Sequence, residues 1–364
     1  MNFLLSIFFI FTRSDDCEII TGQTFNTQFE RKPSTDYCFA ILNSIFMDII
    51  SETSGGAIAI RNGVSTGVIH DCTFIQCQSK AQAACIYFSG LNLETFGCCS
   101  VNCTTRYSSM FLSSQLKDTK QRTVVDMLTI DGSSSQENAI SLHNGHALLT
   151  NINMTNSLVY GTLLALELTD IESPEVAYTN FVNNKGDVRD NSIIYLLTEF
   201  TESTQVFHHG NYIKNTCTNG GYIFNAVALT HISDSVFQNN SRTPLQVIRY
   251  YVTFESCVFD GAEIRTDFET ITNCQFLTGT SPLEFTLQNC SDISGNLKLS
   301  STNKEYIVKF SSYGYVLMVV GIVALVAIIS MIIVKTKQNH HTEEDKKDEQ
   351  NTKENQLSTT PLIE

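Results

Sequence analysis

Tyr212-Ile213-Lys214-Asn215, followed four residues later by Gly220-Gly221-Tyr222-Ile223, decides how this chain is read. The first phrase is an aromatic with Asn three places on. The second is a small, tightly bending pair running into β-branched residues. The first returns as Phe74-Ile75-Gln76-Cys77, Phe181-Val182-Asn183-Asn184 and Phe237-Gln238-Asn239-Asn240, with shorter forms around Phe46, Phe259 and Phe276. The second returns as Gly55-Gly56-Ala57-Ile58, Ala83-Ala84-Cys85-Ile86, Asn138-Ala139-Ile140 and Asn191-Ser192-Ile193-Ile194. Both recur about every 22 to 31 residues, the mark of stacked repeats.

The phrases are short, rich in β-branched and aromatic residues, and bounded by Asn, Gly, Ser and Asp, which is strand and turn chemistry. No helix of about ten residues fits between them, which counts against leucine-rich and helical repeats. Coils of about 25 residues made of such strands stack as a parallel β-helix with neighbouring strands ~4.8 Å apart. Phe74, Phe181, Tyr212 and Phe237 should then point inward as ladders. Asn at the turns tolerates left-handed backbone and can bond its neighbour one coil away. The expected fold is all-β, a right-handed parallel β-helix over 40–295 preceded by an N-terminal cap at 15–39. Phe46 to Ile293 holds roughly nine or ten coils, about 45 Å of stack. A β-sandwich is the alternative, but sandwiches do not repeat one phrase at one period.

The pairing of F-x-x-N with G-G-[AILV]-I, best seen in Phe181 to Asn184, Gly55 to Ile58, and Tyr212 to Ile223, resembles the repeats of chlamydial polymorphic outer membrane proteins. That resemblance implies a right-handed β-helix over about residues 40 to 295. Those bacterial proteins end in an outer-membrane barrel, and this chain departs from them at its C-terminus. Its overall plan is more similar to the expanded surface-protein families of trichomonad parasites, which implies surface display or adhesion and names no ligand.

The chain ends differently from how it begins. Tyr315 to Val334 is twenty residues without a charge, long enough to cross a bilayer core of roughly 30 Å as a helix. Lys335 and Lys337 follow it, against a lone Lys309 before it, so the C-terminal side should be cytoplasmic. We read a transmembrane helix at 313–334, a juxtamembrane linker at 296–312 and a tail at 335–364. Phe3 to Phe11 is a short apolar run with Thr12 and Ser14 after it, which reads as a signal peptide at 1–14. The expectation is a type I plasma-membrane protein with its N-terminus outside.

All twelve cysteines lie between Cys17 and Cys290, consistent with an oxidising compartment. Cys72 and Cys77 recur as Cys98 and Cys103, each 26 residues on, about one coil. Cys257, Cys274 and Cys290 are spaced by 17 and 16. In-register neighbours lie within disulfide range, so these seven are candidates for inter-coil bridges, the alternative being a ladder of buried thiols. No C-x-x-C pair occurs, and no metal site or cofactor is expected. The sequons at Asn102, Asn153, Asn239 and Asn289 are candidate glycosylation sites in the outer segment.

The formal charge is -14, of which the tail's five Lys and seven acidic residues account for -2. An acidic exterior argues against nucleic acid and anionic glycans as partners. Asp48, Asp71, Asp170, Asp234 and Asp260 fall at different points of the repeat and form no column of carboxylates for acid–base work on a polysaccharide. His208-His209 reads as a solvated turn. No catalytic residue is expected, and the function expected is ligand binding, to a glycan or protein, by a surface adhesin or receptor. Two other readings are a membrane-tethered polysaccharide lyase or hydrolase, and a cargo or endocytic receptor working through its tail. In the polar tail, Leu362 and Ile363 resemble a dileucine sorting motif for cytosolic adaptors, with Ser358 where the acidic residue belongs.

Overall fold

In the computed structural model, strands from successive coils pair in parallel throughout three sheets. It describes residues 17–61, 63–168, 174–186, 192–198, 204–217, 222–227, 229–240, 245–247, 252–260, 269–277, 279, 281–285 and 290. The fold is an all-β parallel β-solenoid of the right-handed type with about seven turns, and no helix occurs among the described residues. The signal segment 1–14, the linker, the span, the tail with Leu362 and Ile363, and Asn289 lie outside them.

One coil shows why the sequence folds this way. Ser65–His70 and Thr73–Ile75 lie in the first sheet, Gln78–Ser79 in a narrow second sheet, and Ile86–Gly90 in the third. Two corners are set by left-handed residues. Asp71 (φ 50°) bends the first sheet, and Gln76 (φ 52°) turns the chain into the second. Stacked on Asp71 are Asn43, Gly97, Met127, Asn151, Tyr178, His209, Asp234, Ser256 and Asn273. Stacked on Gln76 are Asp48, Asn102, Gly132, Asn156, Asn183, Lys214 and Asn239. Asn and Asp favour this conformation because their short polar side chains bond locally. At the next corner Gly55 (φ +73°) is required, since a Cβ there would sit 2.1 Å from the carbonyl oxygen of Ile58.

The aromatic of each phrase points inward. Phe25, Phe46, Phe74, Ser100, Ile130, Met154, Phe181, Tyr212, Phe237, Phe259 and Phe276 occupy one column in register. Phe181, Tyr212 and Phe237 stack at 5.7 and 4.8 Å between centroids. Phe74, Phe181, Tyr212 and Phe237 are all buried, as their phrases predict.

Three expectations differ from what is seen. Residues 17–39, expected as a cap, hold the first coil: Glu18–Thr21 pairs in register with Phe39–Leu42, and Phe29–Arg31 with Ile58–Ile60. The nine or ten expected coils become about seven turns: among the described residues the narrow sheet has seven strands, while the first sheet runs on beyond it. Phe259 and Phe276, in register on the first sheet, are only 17 residues apart. Third, the His208-His209 pair sits in the strand Thr204–Ile213 rather than in a turn. The left-handed backbone at His209 (φ 55°) breaks the alternation, so both rings are half-buried with partners.

Candidate functional site

Inward residues of the third sheet, such as Ile86, Phe88, Leu112, Ile140, Leu142, Leu164 and Leu166, leave alternate positions facing out. In register these form an outer column of Tyr87, Ser113, Ser141, Ala165 and Tyr195, and beside it a second column of Ser89, Gln115, His143 and Glu167. The result is a row of small residues, Ser113, Ser141 and Ala165, themselves buried between two tyrosines and edged by half-buried polar side chains. Tyr87 Oη donates to Gln115 Oε1 at 3.2 Å. Ser141 Oγ lies 2.9 Å from His143 Nε2, and His143 Nδ1 lies 3.0 Å from Glu167 Oε2. The hydrogen bond from His143 holds the Glu167 carboxyl below its ordinary range. Burial pushes the Tyr195 phenol up, and the charge of Glu167 adds to it. At the corner beyond, a cavity of about 520 Å³ is lined by Gly63, Ser89, Gln115, Leu116, Lys117, His143 and Asn144.

Nothing in the primary sequence marked these residues. Ser141 and His143 are two apart, which aligns them only on a strand, and Glu167 joins them only because this coil is 24 residues long. A search for S-x-H with an acid one coil later would have found them.

The outer face of the first sheet is occupied differently. Thr73, Cys99, Thr129, Asn153, Asn180 and Asn211 form one outward column. Asn211 donates from Nδ2 to the Leu283 carbonyl at 2.9 Å and accepts from its N–H at 2.8 Å, so residues 281–285 dock there. Phe285 meets Tyr178 edge-on, and Cys290 is joined to Cys99 by a disulfide. Tyr178 stacks on His209, whose Nδ1 is 2.8 Å from His208 Nδ1, while His208 Nε2 lies 3.0 Å from Glu175. The C-terminal end of the stack thus folds back over its own middle coils.

The cysteines divide by direction. Cys72 and Cys98, Cys77 and Cys103, and Cys257 and Cys274 do stand on adjacent coils in register, as their spacing implies. They carry thiols in this structure. The bonds that form are Cys17–Cys38 and Cys99–Cys290. Cys290 therefore pairs 191 residues away rather than with its sequence neighbours. The adjacent Cys98 and Cys99 part company because alternate strand residues face opposite ways: Cys98 inward, Cys99 outward. Burial pushes the Cys72 and Cys257 thiols up to about 12. Asn102 and Asn239 are exposed at left-handed corners. Asn153 is half-buried on the first sheet's outer column and accepts from Asn180 at 2.8 Å.

No protein-family model matches the chain, and no curated protein matches it.

Proposed function

We propose that the chain is a plasma-membrane type I protein whose solenoid ectodomain, displayed outside, binds a glycan or protein ligand as an adhesin or receptor. The observation that carries this reading is the outer face of the third sheet. Five consecutive coils place Tyr87, Gln115, His143, Glu167 and Tyr195 around a row of small residues beside a cavity of about 520 Å³. Rigid aromatics flanking hydrogen-bonding groups suit a polar ligand such as an uncharged saccharide, and a solenoid extends such a surface over several coils. Membrane attachment rests on the charge-free segment Tyr315 to Val334, and display outside on the lysines after it. The phrase pair shared with chlamydial polymorphic outer membrane proteins, together with a single-span plan similar to trichomonad surface families, favours the same reading. The tail would meet sorting adaptors through Leu362 and Ile363.

The test is a glycan and cell-binding screen with cells displaying the full chain. Saturable binding that is lost in Tyr87→Ala and Gln115→Ala supports the reading. A screen without saturable binding, or binding indifferent to both changes, contradicts it.

A further inference from the structure

Ser141, His143 and Glu167 use both nitrogens of one imidazole, Nε2 toward a hydroxyl at 2.9 Å and Nδ1 toward a carboxylate at 3.0 Å. Acyl-transfer enzymes on unrelated folds use that connectivity to make a serine nucleophilic, and it is recognised by geometry rather than by sequence order. Here the fold supplies it by register alone. Ser141 and His143 share a strand face, and Glu167 faces His143 from the next coil. We propose that Ser141, His143 and Glu167 form a hydrolytic site for a small O-acyl ester, with Ser141 as nucleophile, His143 as general base and Glu167 as the positioning residue. This goes beyond binding, and beyond the expectation that the chain has no catalytic residue. That expectation rested on scattered carboxylates and on finding no Ser-His-Asp signature in the sequence, whereas here the acid joins only through the register of the next coil.

The surroundings define the reactant. The in-register neighbours of Ser141 are Ser113 and Ala165, with Tyr87 and Tyr195 one rung further out on either side. Ser113 and Ala165 are themselves buried, so little room is left over Ser141, which limits the acyl group to acetyl size. Ser141 is 2 % exposed and does not itself line the cavity; His143, whose Nε2 is 2.9 Å from its hydroxyl, does, so the ester would reach Ser141 past the imidazole. Gln115 stands in register with His143. Its carbonyl oxygen is taken by the Tyr87 hydroxyl, which leaves its amide N–H groups as donors toward a developing oxyanion. Lys117 lines the same cavity as a cation at its mouth.

In the reaction, Ser141 Oγ bonds to the acyl carbon while its proton passes to His143 Nε2. Collapse of the tetrahedral intermediate breaks the bond to the alcohol oxygen, which leaves with that proton. Water then adds to the acyl-serine, giving a proton to His143. The carboxylic acid departs as Ser141 regains its hydrogen. Glu167 holds the Nδ1–H and balances the imidazolium in both halves.

The experiment treats full-length protein in detergent with a fluorophosphonate probe and with 4-nitrophenyl acetate, and maps the adduct by mass spectrometry. The expected adduct is on Ser141. Ser141→Ala should abolish labelling and reduce hydrolysis to the buffer rate. His143→Asn should lower hydrolysis about 10²–10⁴-fold. Glu167→Gln should lower it and Glu167→Asp restore part, a rescue that a merely structural carboxylate would not give. Gln78→Ala, exposed on the second sheet and outside every sequon, should change nothing. Adduct mapping on the unaltered chain decides the matter even where a variant does not fold. No adduct, or an adduct on another residue, overturns the proposal. Ligand binding measured on the same samples is a separate readout, so binding without an adduct sinks this inference and leaves the binding reading standing.

Discussion

Cys77 and Asn184 occupy the same corner of the coil and make the same bond. Cys77 Sγ donates to the carbonyl of Phe46 at 3.5 Å, and Asn184 Nδ2 donates to the carbonyl of Met154 at 2.9 Å, each one rung back. Cys103 repeats it to Phe74, Asn215 to Phe181 and Asn240 to Tyr212. The Asn members also accept backbone N–H groups, as Asn215 Oδ1 does from Asn184. The Cys-for-Asn exchange in the repeat phrase is therefore an exchange of donors at one ladder position.

It follows that Asn215→Ala should destabilise the central coils by about 1–3 kcal/mol, because it leaves buried polar groups without partners. Cys103→Ser, which keeps a donor, should cost less than Asn215→Ala. Denaturant unfolding monitored by tyrosine fluorescence measures both. Equal losses would remove the ladder explanation.

Phe181→Ala should cost about 3–5 kcal/mol, since its ring is buried and stacked on Tyr212 at 5.7 Å. Solenoid repeats couple mainly to their neighbours, so hydrogen exchange should rise first between Met154 and Tyr212. Uniform loosening of the whole stack would contradict that local coupling.

The thiols of Cys72 and Cys257, buried and pushed up to about 12, should not react with iodoacetamide at neutral pH in the native protein. They should label on denaturation without reductant. Cys99 and Cys290 should label only after reduction. Native labelling of Cys72 would mean that the corner is open.

Glu18 anchors the first coil through hydrogen bonds with Arg31 and Tyr37, and the Arg31 bond holds its carboxyl below the ordinary value of 4.5. A carboxyl lowered in the folded state stabilises fully above its unfolded value and loses that contribution as pH falls through the folded one. The first coil should therefore loosen in acid, below about pH 4.5. Hydrogen exchange at Ile19 and Ile20 across a pH series checks this. Glu18→Gln should remove the acid dependence, and its persistence would assign it elsewhere.

The inner face of the solenoid was legible in the sequence, because Phe181-Val182-Asn183-Asn184 encodes inward ring, outward residue, left-handed corner and ladder bond in four letters. The outer faces were not. Ser141, His143 and Glu167 meet only once coil length and register are fixed, and coil length varies from 31 residues (Phe181 to Tyr212) to 17 (Phe259 to Phe276). For the same reason the spacing of Cys257, Cys274 and Cys290 suggested neighbours on one column. The chain instead turns back after Leu277, and Cys290 reaches Cys99 across the outer face.

The central claim is that the third sheet's outer face is where this protein meets its ligand. Gln115→Arg on the full chain, displayed on cells, tests it most directly by placing a longer, charged side chain at the half-buried edge of that face, where Gln115 lines the cavity. Binding to the ligand found by screening should be lost while surface level and the Cys99–Cys290 bond are unchanged, and Gln78→Arg, exposed on the second sheet, should bind normally. Retained binding in Gln115→Arg, or equal loss in Gln78→Arg, would contradict the account.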